Sequence, residues 1–342
     1  MKRGAAVAVL GGLLAAAAVA GIALGSVPLP VGEVLRILAS KVPWAGSGIV
    51  PDWPGSHEAI IVSLRLPRVL LAAVVGASLA VAGGAFQGLF RNPMADPYVI
   101  GVSSGAALGA ALAITFRPAV GLLGLGPVPL AAFCGALLTV LVVYNIARVG
   151  REVPVGNLLL SGVAVGAFLS ALVSVVVVFS RRQLHEIVFW LMGSLAGRGW
   201  VYLGAALPYL VLGTAVLLYY ARDLNALLLG DEEATHLGVE VERVRRTILA
   251  AASLLTAAAV AACGIVGFVG LIVPHIVRLV VGPDHRVLLP VSGLAGSVLV
   301  ILADLAARTV VRPIELPLGV VTAVIGGPFF LYLLRRSRSG VI

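Results

Sequence analysis

Apolar residues run through this chain in blocks of about twenty, the length an α-helix needs to cross a lipid bilayer. Such blocks cover roughly 4–25, 67–90, 98–116, 128–147, 156–179, 200–220, 247–265, 266–282, 287–307 and 317–334. The seventh and eighth nearly touch, so the pattern predicts nine or ten spans. The runs are too long for strands and lack period-two alternation. The predicted fold is all-α: one polytopic membrane domain over 1–342, with about ten spanning helices. The first block follows Met1-Lys2-Arg3 and could open a signal peptide. Its apolar run to Leu24 is long for one, and a first span explains it as well.

The polar breaks are as informative as the blocks. The most conspicuous is the charged loop 221–246, ARDLNALLLGDEEATHLGVEVERVRR, with six acidic and four basic residues. Leu224 to Leu229 fit a short helix that Gly230 ends. Asp231, Glu232 and Glu233 fit the start of a second, where acidic side chains suit the positive helix terminus. Ala234 continues it and Gly238 would close it. Two short helices with such punctuation predict an exposed knob that docks on a soluble partner.

A second break, Arg91-Asn92-Pro93-Met94-Ala95-Asp96-Pro97, combines two prolines with Asx residues and predicts a non-helical turn. Backbone broken near a membrane must be buried in protein or line water. The turn therefore reads either as a gate on a transport path, with Gln87 beside it, or as a plain connection. A third break is the outer loop 26–66. Its Pro30–Val42 part carries Val31, Val34, Leu35, Leu38 and Val42 at helical spacing, the pattern of an amphipathic surface helix.

Composition confirms the class: 60% of the 342 residues are hydrophobic and 11% charged, too apolar for a soluble domain. The formal net charge is +9. With the N-terminus inside, Lys and Arg fall slightly more often on the cytoplasmic side, as topology requires. The outer face still holds Arg65, Arg68, Arg308 and Arg312, among others. These could pair with carboxylates of a soluble partner or snorkel to lipid phosphate.

Chemistry is sparse. Cys134 and Cys263 sit inside apolar runs and read as small buried packing residues. No two histidines have metal-pair spacing, and no phosphate-cradling Gly-Lys-Ser/Thr loop occurs. Gln87, Arg278 and Asp304 are the main polar groups at depth, too few for an ion relay. A faint internal repeat pairs Phe86–Phe90 and Pro93 with Phe268–Ile272 and Pro274, as two five-helix halves would.

The stretch LRLPRVLLAAVVGASLAVAGGAFQGLFRNPMADPYVIGVSSGAALGA resembles the FecCD family of ATP-binding cassette importer permeases. LNALLLGDEEATHLGV and the C-terminal run from GIVGFVGLIVPHIVRLVVGPDHR to GGPFFLYLLRR resemble it too. The resemblance implies a homodimer of ten-helix subunits in the cytoplasmic membrane. It also implies two cytoplasmic ATPase subunits and a periplasmic or lipid-anchored substrate-binding protein. No cofactor, metal, enzymatic role or nucleic acid follows from it. Leu224, Leu228, Gly230, Asp231, Glu232, Glu233, Ala234 and Gly238 then match coupling helices that meet the ATPase. Arg65, Arg68, Arg308 and Arg312 match a docking rim for the binding protein. Gln87, Asn92, Pro93, Asp96 and Pro97 lie beside the translocation path. The implied cargo is an iron complex, ferric siderophore before haem, with cobalamin the alternative. An ion-coupled secondary transporter is the rival class. The 41–59 segment carries no family motif.

Overall fold

The computed structural model describes residues 3–25, 27–42, 50–122, 124–150 and 152–338. Helix α1 (Arg3–Ala23) leads to α2 (Val31–Ser40) and a short α3 (Gly55–Ala59). A π-helical stretch, Ile60–Arg65, joins α3 to α4 (Leu66–Leu89). A 3₁₀ turn at Pro97–Ile100 precedes α5 (Val102–Phe116), α6 (Pro127–Ala147), α7 (Val155–Phe179), α8 (Leu184–Leu191) and α9 (Trp200–Tyr219). The chain continues through α10 (Ala221–Leu227), α11 (Asp231–His236), α12 (Val241–Cys263), α13 (Val269–Val281), α14 (His285–Thr309) and α15 (Leu318–Arg338).

Seven described helices are long and apolar enough to cross a membrane. Three shorter apolar helices, Val102–Phe116, Val269–Val281 and Leu318–Tyr332, bring the set to the expected ten. The seventh and eighth blocks are separate helices, because Gly264 adopts a left-handed φ of 77° and ends α12. Pro127 opens α6, where a missing N–H costs nothing, and Pro67 marks the passage from the π-helical stretch into α4.

Helix α4 is the axis of the bundle. Nearly all of it from Pro67 to Leu89 is buried, and it packs against α9, α12, α13 and α14. Small residues make this possible, since in lipid close backbone approach replaces the hydrophobic effect as the glue. A Cβ at Gly83 would lie 1.8 Å from the carbonyl oxygen of Gly270 on α13. One at Gly76 would lie 2.2 Å from that of Gly296 on α14. Helix α7, by contrast, buries only Leu158, Gly162 and Val173 and shows leucine, valine and phenylalanine outward. Apolar side chains exposed on a spanning helix are the surface that lipid or another spanning subunit covers.

Three expectations need correction. Phe86–Phe90 closes α4, whereas Phe268–Ile272 opens α13, so the two pentapeptides do not occupy equivalent places. Pro93 lies in a turn and Pro274 inside a helix. Cys134 is exposed on α6, and only Cys263 is buried; an apolar run predicts a spanning helix but not which face looks outward. The span after the charged loop starts at Val241 rather than near Thr247, and carries Glu242, Arg243, Arg245 and Arg246 in its first turns.

The outer loop forms its helix as expected, α2, but rotated. Val34 and Ile37 are buried, while Val31 and Leu35 are exposed. Polar contacts fasten it to the segment before α4: Arg36 pairs with Asp52 at 2.9 Å, Lys41 pairs with Glu58, and His57 hydrogen-bonds with Glu33 at 2.6 Å. The loop residues 43–49 lie outside the described residues.

Candidate functional site

The knob forms from two short helices, and its apolar side explains where it sits. Leu224, Leu227 and Ala234 are fully covered, while Glu232, Glu233, Leu229 and Leu237 face solvent. Leu228 is half-buried between these sides. Gly230 opens α11 with a φ of 134°. A Cβ there would also stand 2.1 Å from a carboxylate oxygen of Glu233, which folds back over it. Gly238 ends the knob at a φ of 84°. Both glycines occupy backbone conformations that side chains disfavour.

Asp231 is the junction of the site. It accepts from Arg91 Nη2 at 3.2 Å and from Arg245 Nη2 at 2.8 Å. Arg91 belongs to the turn after α4, Arg245 to the first turns of α12. Arg245 is nearly buried and also donates to Glu242 and to the carbonyl of Val153, between α6 and α7. On the other side of the knob, Asn225 donates to Asp284 at 2.8 Å and accepts from the backbone N–H of His285 at 2.9 Å. These bonds tie α10 to the start of α14. Helix α10 follows α9 directly. The knob is thus fastened by side chains to α12, α14 and the turn after α4, and by the chain itself to α9. Asp284 is held well below the usual carboxylate range, first by its hydrogen bond from Arg286.

The turn after α4 has the expected shape. Arg91 takes a φ of 51°, the Asn92 side chain accepts from the N–H of Met94 at 2.9 Å, and that of Asp96 accepts from the N–H of Tyr98 at 2.8 Å. Asn92 and Pro93 are exposed, while Pro97 is buried against Gly270, where a Cβ would come within 2.6 Å of its ring. Gln87 differs from expectation. It has no surface at all, donates to the carbonyl of Leu271 at 2.9 Å, and accepts from Arg278 at 3.1 Å. A side chain spent at both ends ties α4 to α13 and lines no path in this conformation.

Burial pushes the Asp96 carboxyl up to about 6. A raised carboxyl stabilises the fold while protonated. That contribution is complete below the unfolded value near 3.8 and is lost as pH rises to about 6. Asp96→Asn keeps the acceptor for Tyr98 and removes the titration. Between pH 4 and 6 the wild type is expected to lose melting temperature relative to this variant. A constant difference across that window would exclude the burial account.

The outer arginines are largely engaged within the chain. Arg65 donates to the carbonyls of Ile22 at 2.8 Å and Ala23 at 2.9 Å, and to that of Val27. Arg308 donates to the carbonyl of Gly21 at 2.9 Å and pairs with Asp304 at 3.1 Å. Both arginines are buried. They cap the end of α1, whose last carbonyls lack helical partners and carry the negative end of the helix dipole. Arg68 bridges Asp304 at 2.9 Å and Glu315 at 3.0 Å. Only Arg312 of the four is fully exposed. Arg65, Arg68 and Arg308 nevertheless edge an outward cavity of about 470 Å³, together with Arg198 and Glu315. The sequence shows a basic rim; it does not show that the end of the first helix consumes its donors. Arg308→Leu would leave the Gly21 carbonyl bare and Asp304 with one partner. The expected cost is about 3 kcal/mol, read as a lowered melting temperature of the permease alone. An unchanged melting temperature would contradict the capping role.

Arg91, Arg245, Asn225 and Asp284 were not among the expected site residues. Arg91 and Arg245 lie inside the turn and the charged loop read from the sequence, but their meeting at Asp231 spans 140 and 14 positions, and no local pattern encodes that.

A family model described as the FecCD transport family matches residues 13–336. The chain belongs to that family. This FecCD permease is 50% identical to the cobalamin import system permease protein BtuC of Halobacterium salinarum, over 92% of this chain and 87% of that protein. It is 45% identical to the hemin transport system permease protein HmuU of Yersinia pestis, over 82% and 84%. A solved metal-chelate type ABC transporter in an inward-facing conformation superposes with a TM-score of 0.82 at 34% identity, covering 96% of this chain and 97% of that one. This FecCD permease is thus a multi-pass subunit of an ABC importer for iron chelates, haem or cobalamin, a transport component rather than an enzyme.

Proposed function

We propose that this permease carries cobalamin across the cytoplasmic membrane as one of two identical subunits, driven by two ATPase subunits bound at the knob. The observation that carries the coupling reading is the junction at Asp231, where one exposed helix is bonded to the ends of α4 and α12. ATP-driven closure of the ATPases would move Leu224–Gly238 as a unit and rock the core helices between outward and inward states. Exposed Glu232, Glu233 and Leu237 would supply the contact. A substrate-binding protein would dock on the outer rim at Arg312 and around the basic cavity, and Asn92 to Pro97 would hinge as the path opens.

The cargo choice rests on identity. The cobalamin relative stands at 50% and the hemin relative at 45%, against 39% for the ferric dicitrate permease FecD of Escherichia coli. A ferric chelate is the second reading, favoured by the metal-chelate type of the superposed transporter. The experiment is cargo-stimulated ATP hydrolysis by the permease reconstituted in lipid with its ATPase and binding protein. Stimulation by cobalamin alone supports the reading. Stimulation by a ferric siderophore or haem instead moves the cargo to the iron class. Failure of the ATPase to associate overturns the coupling assignment.

A further inference from the structure

A groove of about 450 Å³ runs between α6, α9 and α12. Its walls are apolar: Leu137 and Leu141 on α6, Leu212 and Val216 on α9, Ala250 and Leu254 on α12. Leu141 and Leu212 are 60% and 62% exposed, so the groove opens sideways, where a spanning bundle meets hydrocarbon. Along α12 it extends from Thr247 to Leu254, about 10 Å at helical rise. That is about two-thirds of the hydrocarbon of one leaflet.

Charged groups gather at one end only, the groove itself holding no polar side chains but Thr247 and Ser253. Arg243 and Arg246 lie on the same face of α12 as Thr247, Ala250 and Leu254, one turn beyond the groove. Arg243 is exposed and reaches Glu240 at 3.6 Å. Arg246 is exposed and makes no ion pair among the described residues. Arg148 stands at the same end of α6 and, among the described residues, donates only to the carbonyl of Gly150. Tyr219, 78% exposed, ends α9 there, a position typical of the membrane interface. The carboxylate of Glu242 is taken by Arg245. An apolar slot about two-thirds of a leaflet deep, crowned by cations with one weak counter-charge, is complementary to a single amphiphilic anion.

We infer that an anionic phospholipid of the cytoplasmic leaflet binds here, one acyl chain in the α6–α9–α12 groove and its phosphate on Arg243 and Arg246. The assignment of the leaflet rests on the knob being cytoplasmic; the binding itself does not. Clustered arginines at a helix end attract anionic headgroups, and the groove adds what a bare charge patch lacks, a fixed place for the chain. Bound lipid would wedge α9 against α12, the two helices that carry the knob between them.

The test uses the full permease alone in detergent, without ATPase, titrated with phosphatidylglycerol or phosphatidylcholine of identical chains. Native mass spectrometry reads binding, and melting temperature reads its effect. Phosphatidylglycerol is expected to bind saturably and raise the melting temperature, with phosphatidylcholine at least tenfold weaker. Arg243→Ala with Arg246→Ala should weaken phosphatidylglycerol about thirtyfold, at about fivefold per surface arginine, and leave phosphatidylcholine unchanged. Arg243→Lys with Arg246→Lys should restore most of it. Ala250→Phe, which fills the slot, should lower binding of both lipids. Equal binding of the two lipids by the wild type overturns the inference. So does a headgroup preference that survives in the double alanine variant, which would assign those arginines to the ATPase instead.

Discussion

Gly230→Val is expected to abolish uptake while leaving the permease folded and assembled. The position has a φ of 134°, where a β-branched residue is strained, and a Cβ would meet the Glu233 carboxylate at 2.1 Å. The Glu233 carboxylate can swing aside, but the backbone at this φ cannot hold valine, so the helix start must shift, and Asp231 with it, and Arg91 and Arg245 lose their common partner. The site lies outside the apolar bundle, so the core helices keep their packing. The measurement is cargo uptake by vesicles holding the complete importer, beside ATP hydrolysis by the same vesicles. Uptake should fall to background while hydrolysis persists without responding to cargo. Gly238→Pro should act alike, since its φ of 84° is closed to proline. Uptake at wild-type rates in both variants would remove the knob from the energy pathway.

Gly83→Ala should do the opposite and remove the folded protein itself. One methyl placed 1.8 Å from the Gly270 carbonyl forces α4 away from α13 along backbone, which has no rotamer to yield. Overpacking of ordinary core sites costs about 1–3 kcal/mol, and a backbone clash belongs at or above the top of that range. Moving α4 from α13 also stretches the bonds of Gln87 to Leu271 and Arg278. The measurement is monodisperse yield and melting temperature after extraction. Gly11→Ala is the control, since nothing lies within 4 Å of a Cβ there. A Gly83→Ala protein that melts with the control would mean that α4 and α13 are not locked at this contact.

These two glycines mark what the chain discloses by itself. Gly230 is legible because a glycine before Asp-Glu-Glu in a charged loop punctuates helices, a local rule. Gly83 looks like any of the 41 glycines, and its role exists only once α13 lies across it. The same division runs through the site. The knob, the turn at 91–97 and the α2 helix follow from spacing within a few residues. The capping of α1 by Arg65 and Arg308, the burial of Gln87 and the convergence on Asp231 require partners between 14 and 287 positions away. Local charge pattern gives the sign of a surface, while the acceptors that use it come from elsewhere in the chain.

The two bonds at Asp231 are not equally shielded from dissolved ions. Arg91 and Asp231 are both near half exposed, whereas the Arg245 side chain is 7% exposed. Mobile counterions weaken exposed pairs and spare enclosed ones, over a screening length of about 8 Å at physiological strength. Concentrated salt therefore loosens the knob from α4 before it loosens it from α12. The α11 half of the knob would then swing about Arg245 like a door on one hinge, while α10 stays latched to the start of α14 through Asn225.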